Sequence, residues 1–152
     1  MAQDALTLLV ADHRKVEDLF RSAQSSFTPA DLDRITISLA RELTVHAKIE
    51  EEMFYPAVRE RSRGNARDQS LIECSYVEHA EVRELVAQMQ AADGERSTIL
   101  RQLQDAVEEH NEEEENDLFP EVRRLFDADE LALLGSRMAQ MKEDMLVGGL
   151  RR

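Results

Sequence analysis

Cysteine is almost absent: Cys74 stands alone in 152 residues. That excludes an intrachain disulfide framework and fits a reducing compartment; Cys74 itself is expected to be buried and inert. Basic residues are also scarce. Lys and Arg number 19 against 32 Asp and Glu, a formal net charge of −13. This balance argues against nucleic acid and anionic membrane surfaces, which require basic faces, and it favours cationic ligands, metal ions included. Long apolar runs are missing, and none approaches the ~20 residues of a membrane span. The N-terminal stretch has no basic region before its short apolar run and does not read as a signal peptide. The expectation is a cytoplasmic protein, a monomer or small homo-oligomer, with neither a nucleic-acid nor a membrane partner.

Glycine (5) and proline (3) are few as well, and strand signals are lacking. What is present is helical periodicity nearly throughout. A first helix is expected from about Asp4 to Ser25, with Leu6, Leu9, His13, Val16 and Phe20 on one stripe. Thr28 and Pro29 restart the chain. A long helix then runs towards Arg61 with Ile35, Leu39, Leu43, His46, Glu50, Met53 and Ala57 in line, kinked or shortened by Pro56. "RSRGNARDQ" is the clearest loop. Beyond it Ile72, His79, Val82, Val86 and Met89 mark a third helix, which "ADGE" ends. Ile99, Leu103, Val107, His110, Glu114 and Leu118 mark a fourth, running towards Pro120. Asp127 and Glu130 form a capping-box start for a short fifth helix with Leu131, Leu134, Met138, Met141 and Met145, before a frayed "GGLRR" tail. The fold class is all-α, a four-helix bundle with a short additional C-terminal helix.

The chain also repeats itself. "HAKIEEEMFYP" from His46 matches "HNEEEENDLFP" from His110, and "DHRKVEDLF" around His13 matches "EHAEVRELV" around His79. Residues 1–152 therefore read as one domain of two pseudo-symmetric halves, about 4–62 and 66–126, followed by the C-terminal helix at about 127–146. Each half is a helix with a lone histidine followed by a helix with a His-to-Glu pair.

His13, His46, His79 and His110 are all the histidines of the chain, and each lies on an apolar stripe. Glu50 and Glu114 follow His46 and His110 by one turn on the same face. A buried unpaired carboxylate costs several kcal/mol, so two of them demand compensation from the histidines or from a metal. Two six-coordinate ions offer about twelve positions, of which four histidines and two bridging glutamates fill about eight. The rest are open to an oxo or hydroxo bridge, water and an exogenous ligand. The ligand types suit iron, with manganese or zinc as alternatives. Glu51, Glu52 and the remainder of the run Glu112–Glu115 read as solvated faces. An ideal helix aims Tyr55 away from His46 and Glu50, which makes packing its default role. A distortion at Pro56 would instead bring it in as an additional metal ligand. Tyr76, one turn before His79, is a candidate hydrogen-bond donor near the site.

These motifs resemble the ordered signature of the hemerythrin-like, or HHE cation-binding, proteins: a lone His, then His-xxx-Glu, twice over nearly the whole chain. The resemblance implies an up-down four-helix bundle around a non-haem di-iron centre, with His13, His46, Glu50, His79, His110 and Glu114 as ligands. The O₂-carrying members have a fifth histidine where this chain has Ser75, and their second acidic bridge is an Asp one residue further on than Glu114. The chain thus resembles the bacterial single-domain branch, in some members of which a tyrosine reaches the metal. That branch implies H₂O₂ decomposition, peroxidase-type or nitric-oxide-related chemistry. The alternatives are an O₂-, NO- or iron-binding sensor or carrier without turnover, and an iron-handling protein. No catalytic residue separate from the metal ligands is evident.

Overall fold

A computed structural model describes residues 3–92 and 96–150, with side chains to residue 148. Helix α1 (Ala5–Gln24) starts where the Asp4 carboxylate accepts the Thr7 N–H, and α2 (Pro29–Ile49) starts where the Thr28 hydroxyl accepts that of Asp31. These side chains satisfy backbone donors that the first turn leaves open. A five-residue π-turn, Glu50–Phe54, joins α2 to α3 (Tyr55–Arg61) as one rod. After Ser62–Asn65, where Gly64 takes φ +89°, α4 (Ala66–Ala91) is capped by Asn65. The rod α5 (Arg96–Glu113), π-turn Glu114–Leu118 and α6 (Phe119–Leu125) reproduces the first one length for length from the glutamate onwards. Helix α7 (Ala128–Leu150) packs on α1, α2 and the first π-turn.

The core is in two parts. One includes Leu6, Leu9, Ile49, Ile72, Leu118 and Met138; the other includes Val16, Phe20, Leu43, Val86, Leu103 and Val107. Along each rod of the bundle the histidine falls where one part gives way to the other. The order of the parts reverses from each rod to the next, as antiparallel neighbours require. A buried polar layer therefore cuts the apolar interior across its middle.

Several expectations need correction. The stripe beyond Glu50 is not Met53 and Ala57, which are half-buried, but Phe54, Tyr55 and Val58, all buried. The π-turn causes this: the Tyr55 N–H donates to the carbonyl of Glu50, five residues back, and the extra residue rotates everything after it. Pro56 has no N–H and its ring crowds the carbonyl four residues back, so the tighter ladder cannot pass through it. Pro120 stands in the same relation to Phe119 and Glu114. Cys74 is exposed rather than buried, because it lies off the inward stripe of Ile72, Ser75 and His79. The loop after Arg61 is shorter than expected, since Asn65 caps α4 at once. The C-terminal helix is long, running through Gly148 to Leu150 instead of fraying there. Its Asp127–Glu130 capping box is reciprocal, at 2.8 and 3.0 Å. Of "ADGE", Ala92 caps α4 and residues 93–95 lie outside the described residues, as do Arg151 and Arg152.

One glycine fixes how α7 docks. A Cβ at Gly135 would stand 2.3 Å from the Gln3 carbonyl oxygen and 2.7 Å from the Ala5 nitrogen, both backbone atoms. Helix propensity alone favours Ala over Gly by about 0.5–1 kcal/mol. Gly135→Ala is nevertheless expected to destabilise by about 1–3 kcal/mol, as overpacking does. Gly148→Ala, with nothing within 4 Å, should be neutral or stabilising. Urea-denaturation midpoints of the two variants check this; equal effects would mean that α7 is not held at Gly135.

Candidate metal centre

Each element delivers one part of the polar layer. His13 comes from α1, His46 from α2, His79 from α4 and His110 from α5, while Glu50 and Glu114 open the two π-turns. All six are buried, Glu50 completely. The ligating atoms of His13, His46, Glu50 and Glu114 all lie within 4.8 Å of one another, as do those of Glu50, His79 and His110. Glu50 belongs to both groups: its Oε1 is 3.1 Å from His46 Nε2 and 3.0 Å from His79 Nε2. Glu114 spans them too, with Oε1 3.1 Å from His13 Nε2 and Oε2 3.5 Å from His110 Nε2. The structure thus brings together all six residues singled out by the motifs.

Tyr55 joins them. The π-turn carries its buried phenol inward, where the hydroxyl donates to Glu114 Oε2 at 2.5 Å. The Tyr55 hydroxyl oxygen also lies 3.2 Å from both Glu50 Oε1 and His79 Nε2. Burial, then the charges of Glu114 and Glu50, hold the phenol well above its ordinary pKa. Without a cation it keeps its proton. Tyr76 donates to the Glu51 carbonyl at 3.2 Å and meets the Tyr55 ring edge-on, centroids 5.3 Å apart. That carbonyl is available because Pro56, its partner in the wide-turn register, has no N–H to offer.

The outer nitrogens show what the sequence reading missed. Every histidine turns Nδ1 to a carboxylate: His13 to Glu115 at 2.7 Å, His46 to Asp12 at 3.0 Å, His79 to Glu51 at 2.7 Å and His110 to Glu78 at 2.8 Å. An Nδ1–H donated outward leaves the Nε2 lone pair facing in, which fixes the tautomer a metal ligand needs. Glu51 and Glu115 are therefore not merely solvated. The signal was in the repeat: each of these acids adjoins a candidate ligand, as acid–His in one helix of each half and Glu–Glu in the other. One residue along a helix lies about 100° round, which aims the acid at the neighbouring rod's histidine. Among the described residues, three of the four carboxylates have a cation behind them. Arg14 pairs with Glu115, Arg83 with Glu51 at 2.6 Å, and Lys142 of α7 with Asp12 at 2.5 Å. Glu78 instead faces Glu113, whose carboxyl is pushed up to about 7 by its hydrogen bond with Glu78 and by burial.

The inward atoms are left wanting. His79 Nε2 and His110 Nε2 are 3.1 Å apart, two lone pairs in contact unless a proton or cation lies between them. Glu50 Oε2 and His46 Nε2 are buried without a hydrogen-bond partner among the described residues, the latter being close to Glu50 Oε1 but misaligned. A donor set of imidazole nitrogens and carboxylate oxygens converging in this way fits metal cations.

Comparison with known proteins follows the same line. The model of the family described as "Hemerythrin HHE cation binding domain" matches residues 4–122. A protein of Nostoc sp. named DNA nickase is 36% identical over 115 residues, which are 74% of this chain but 31% of that protein, so the chain spans about a third of its length. A crystal structure of a hemerythrin HHE cation binding domain-containing protein from Mycobacterium kansasii superposes with a TM-score of 0.84 at 22% identity, covering 98% of this chain and 91% of that one. Its likeness is one of fold.

Without a cation, protons must do the compensating. Burial alone would lower the His46 pKa, but Glu50 and Asp12 outweigh it and hold it at about 10, while Glu50 is held well below 4.5. A raised histidine pKa stabilises the fold fully below its unfolded value of about 6.5, and that stability is lost as pH rises through about 10. The Glu50 contribution is present above about 4.5 and lost in acid. Metal-free protein in chelator should therefore show its thermal midpoint falling between pH 6.5 and 10, with a shallower fall in His46→Gln. A flat profile over that range would contradict the protonated pair.

Proposed function

The chain belongs to the hemerythrin HHE cation-binding domain family, and on that premise we propose that it is a non-haem di-iron protein that binds and reacts with small oxidants, by H₂O₂ decomposition, peroxidase-type or nitric-oxide-related chemistry. The observation that carries the reading is the pair of donor groups sharing Glu50 and spanned by Glu114. His13 and His46 would hold one iron and His79 and His110 the other, with the two glutamates bridging. Tyr55 would be an additional ligand on the His79 side, where its hydroxyl already lies. Two irons supply one-electron steps that together match the two electrons of a peroxide bond.

The residues of the chain do the rest. Their Nδ1 hydrogen bonds keep four Nε2 atoms turned inward. Loading must expel the His46 proton and, if Tyr55 ligates, the phenolic proton as well. Uptake should therefore release protons and weaken as pH falls. Cytoplasmic location follows from the lone cysteine as an inference; among the described residues no helix is long and apolar enough to cross a membrane. Nicking of DNA stays with the longer Nostoc protein, since a net charge of −13 gives this chain little to attract a polyanion.

Sensing without turnover is a second reading with one observation in its favour. Lys142 ties α7 to Asp12, and Asp12 holds His46, so a change at the centre has a path to a helix outside the bundle. Spectra of protein purified aerobically from iron-replete cells, with iron assayed on the same sample, test both readings. Oxo-to-ferric charge-transfer bands are expected, with a broad visible phenolate band that Tyr55→Phe removes. His46→Ala and Glu50→Ala should lose most of the iron. Full iron content in both would contradict the ligand assignment. Catalytic loss of added H₂O₂ favours the first reading; saturable, reversible ligand spectra with no turnover favour the second.

A further inference from the structure

The cleft between α2, α4 and α5 contains a cavity of about 240 Å³ that reaches the side chains of His46, His79 and His110. Its walls are apolar: Leu43, Val86 and Val107 are buried and Val82 half-buried. Thr44, Ala87 and Gln90 line it from exposed positions, so it opens to solvent. Arg83 also stands at its edge, but its guanidinium is engaged by Glu51 at 2.6 Å. Asn111 adds a buried amide.

We propose that this cleft binds the apolar body of a small neutral organic molecule whose oxygen end faces the three imidazoles, and that the oxidant taken by the site is an alkyl or aryl hydroperoxide. The second clause rests on the di-iron reading above; the first does not. Size is the first reason. A dry cavity of about 150 Å³ accepts benzene, so one of about 240 Å³ has room for roughly seven to ten heavy atoms, well beyond H₂O₂ or a diatomic gas. Wall chemistry is the second. H₂O₂ hydrogen-bonds as water does and gains little from valine and leucine, whereas each buried methylene raises affinity roughly fourfold. Charge is the third: with Arg83 paired, the mouth offers little to an anionic head group and suits a neutral one. In a single turnover ROOH takes two electrons, one from each ferrous ion of the proposed centre, and two protons from solvent. The O–O bond breaks, and ROH and water leave.

The binding step is tested on the metal-free chain of residues 1–152 with 2-phenyl-2-propanol, the unreactive alcohol counterpart of cumene hydroperoxide, followed by methyl NMR. Saturable shifts are expected at Leu43, Val82, Val86 and Val107. Val86→Trp, which fills the cavity, should weaken binding at least tenfold, and Ala87→Trp does the same from an exposed position where folding is not at risk. Absence of saturation up to the solubility of the probe, or equal affinity in Ala87→Trp, would overturn the site. The substrate class is tested on the ferrous protein. Its oxidation by cumene hydroperoxide should saturate at lower concentration than oxidation by H₂O₂, and the alcohol should compete. A reaction with cumene hydroperoxide that neither saturates nor responds to the alcohol would overturn it. Because the NMR arm needs no iron, failure of the cleft and failure of the di-iron reading are separable.

Discussion

Two carboxylates, Glu50 and Glu114, are buried in the centre of a small helical bundle, and the rest of the structure answers to them. Their desolvation would cost several kcal/mol each if nothing compensated, against a total stability of about 5–15 kcal/mol for a domain. Four imidazoles surround them, and each imidazole is in turn held by an outer acid: Glu115, Asp12, Glu51 or Glu78. Three of these acids are then neutralised by Arg14, Arg83 and Lys142. Carboxylates and nitrogen-bearing side chains thus alternate in shells from the core to the surface. The apolar core is split into two parts because this layer occupies its middle. Such an arrangement specifies tautomer and orientation more than it adds stability, which is the usual role of polar groups around a metal.

The two halves repeat, yet the centre is not symmetric. Both rods have a π-turn that begins at the glutamate, followed by an aromatic residue and a proline. In the first rod the turn brings in Tyr55, with a hydroxyl among Glu50, Glu114 and His79. In the second it brings in Phe119, which stacks on His13 with centroids 6.0 Å apart. One side of the layer is therefore phenolic and the other hydrocarbon. The cleft edges on His46, His79 and His110 and not on His13, so the wall that admits a ligand is also uneven. A duplicated scaffold has thus acquired two different faces from single-residue choices.

Much of this was legible in the sequence. Helical periodicity marked the rods, the capping residues Asp4, Thr28 and Asp127 marked their starts, and the doubled motifs marked the six inward residues. What escaped has a common physical origin. A period of 3.6 residues carries no sign of an inserted residue, so it points Met53 and Ala57 inward although Phe54, Tyr55 and Val58 are the ones buried. Pro56 signals a disturbance, but proline does not say whether a helix will kink, end or widen. The outer acids escaped because a residue beside the stripe looks solvated until the neighbouring rod is in place. Long-range pairs such as Lys142 with Asp12 are invisible to any local pattern. Cys74 escaped through a residue-type tendency towards burial that its position on α4 overrode.

The proposed site holds two cations in the polar layer, shared between Glu50 and Glu114. Native mass spectrometry of the protein from iron-replete cells, sprayed without chelator, counts the metal directly. A dominant species heavier than the bare chain by two iron ions is expected, converted to one lacking both when Glu50 is replaced by alanine. A dominant species with one iron, with many, or with none would contradict it.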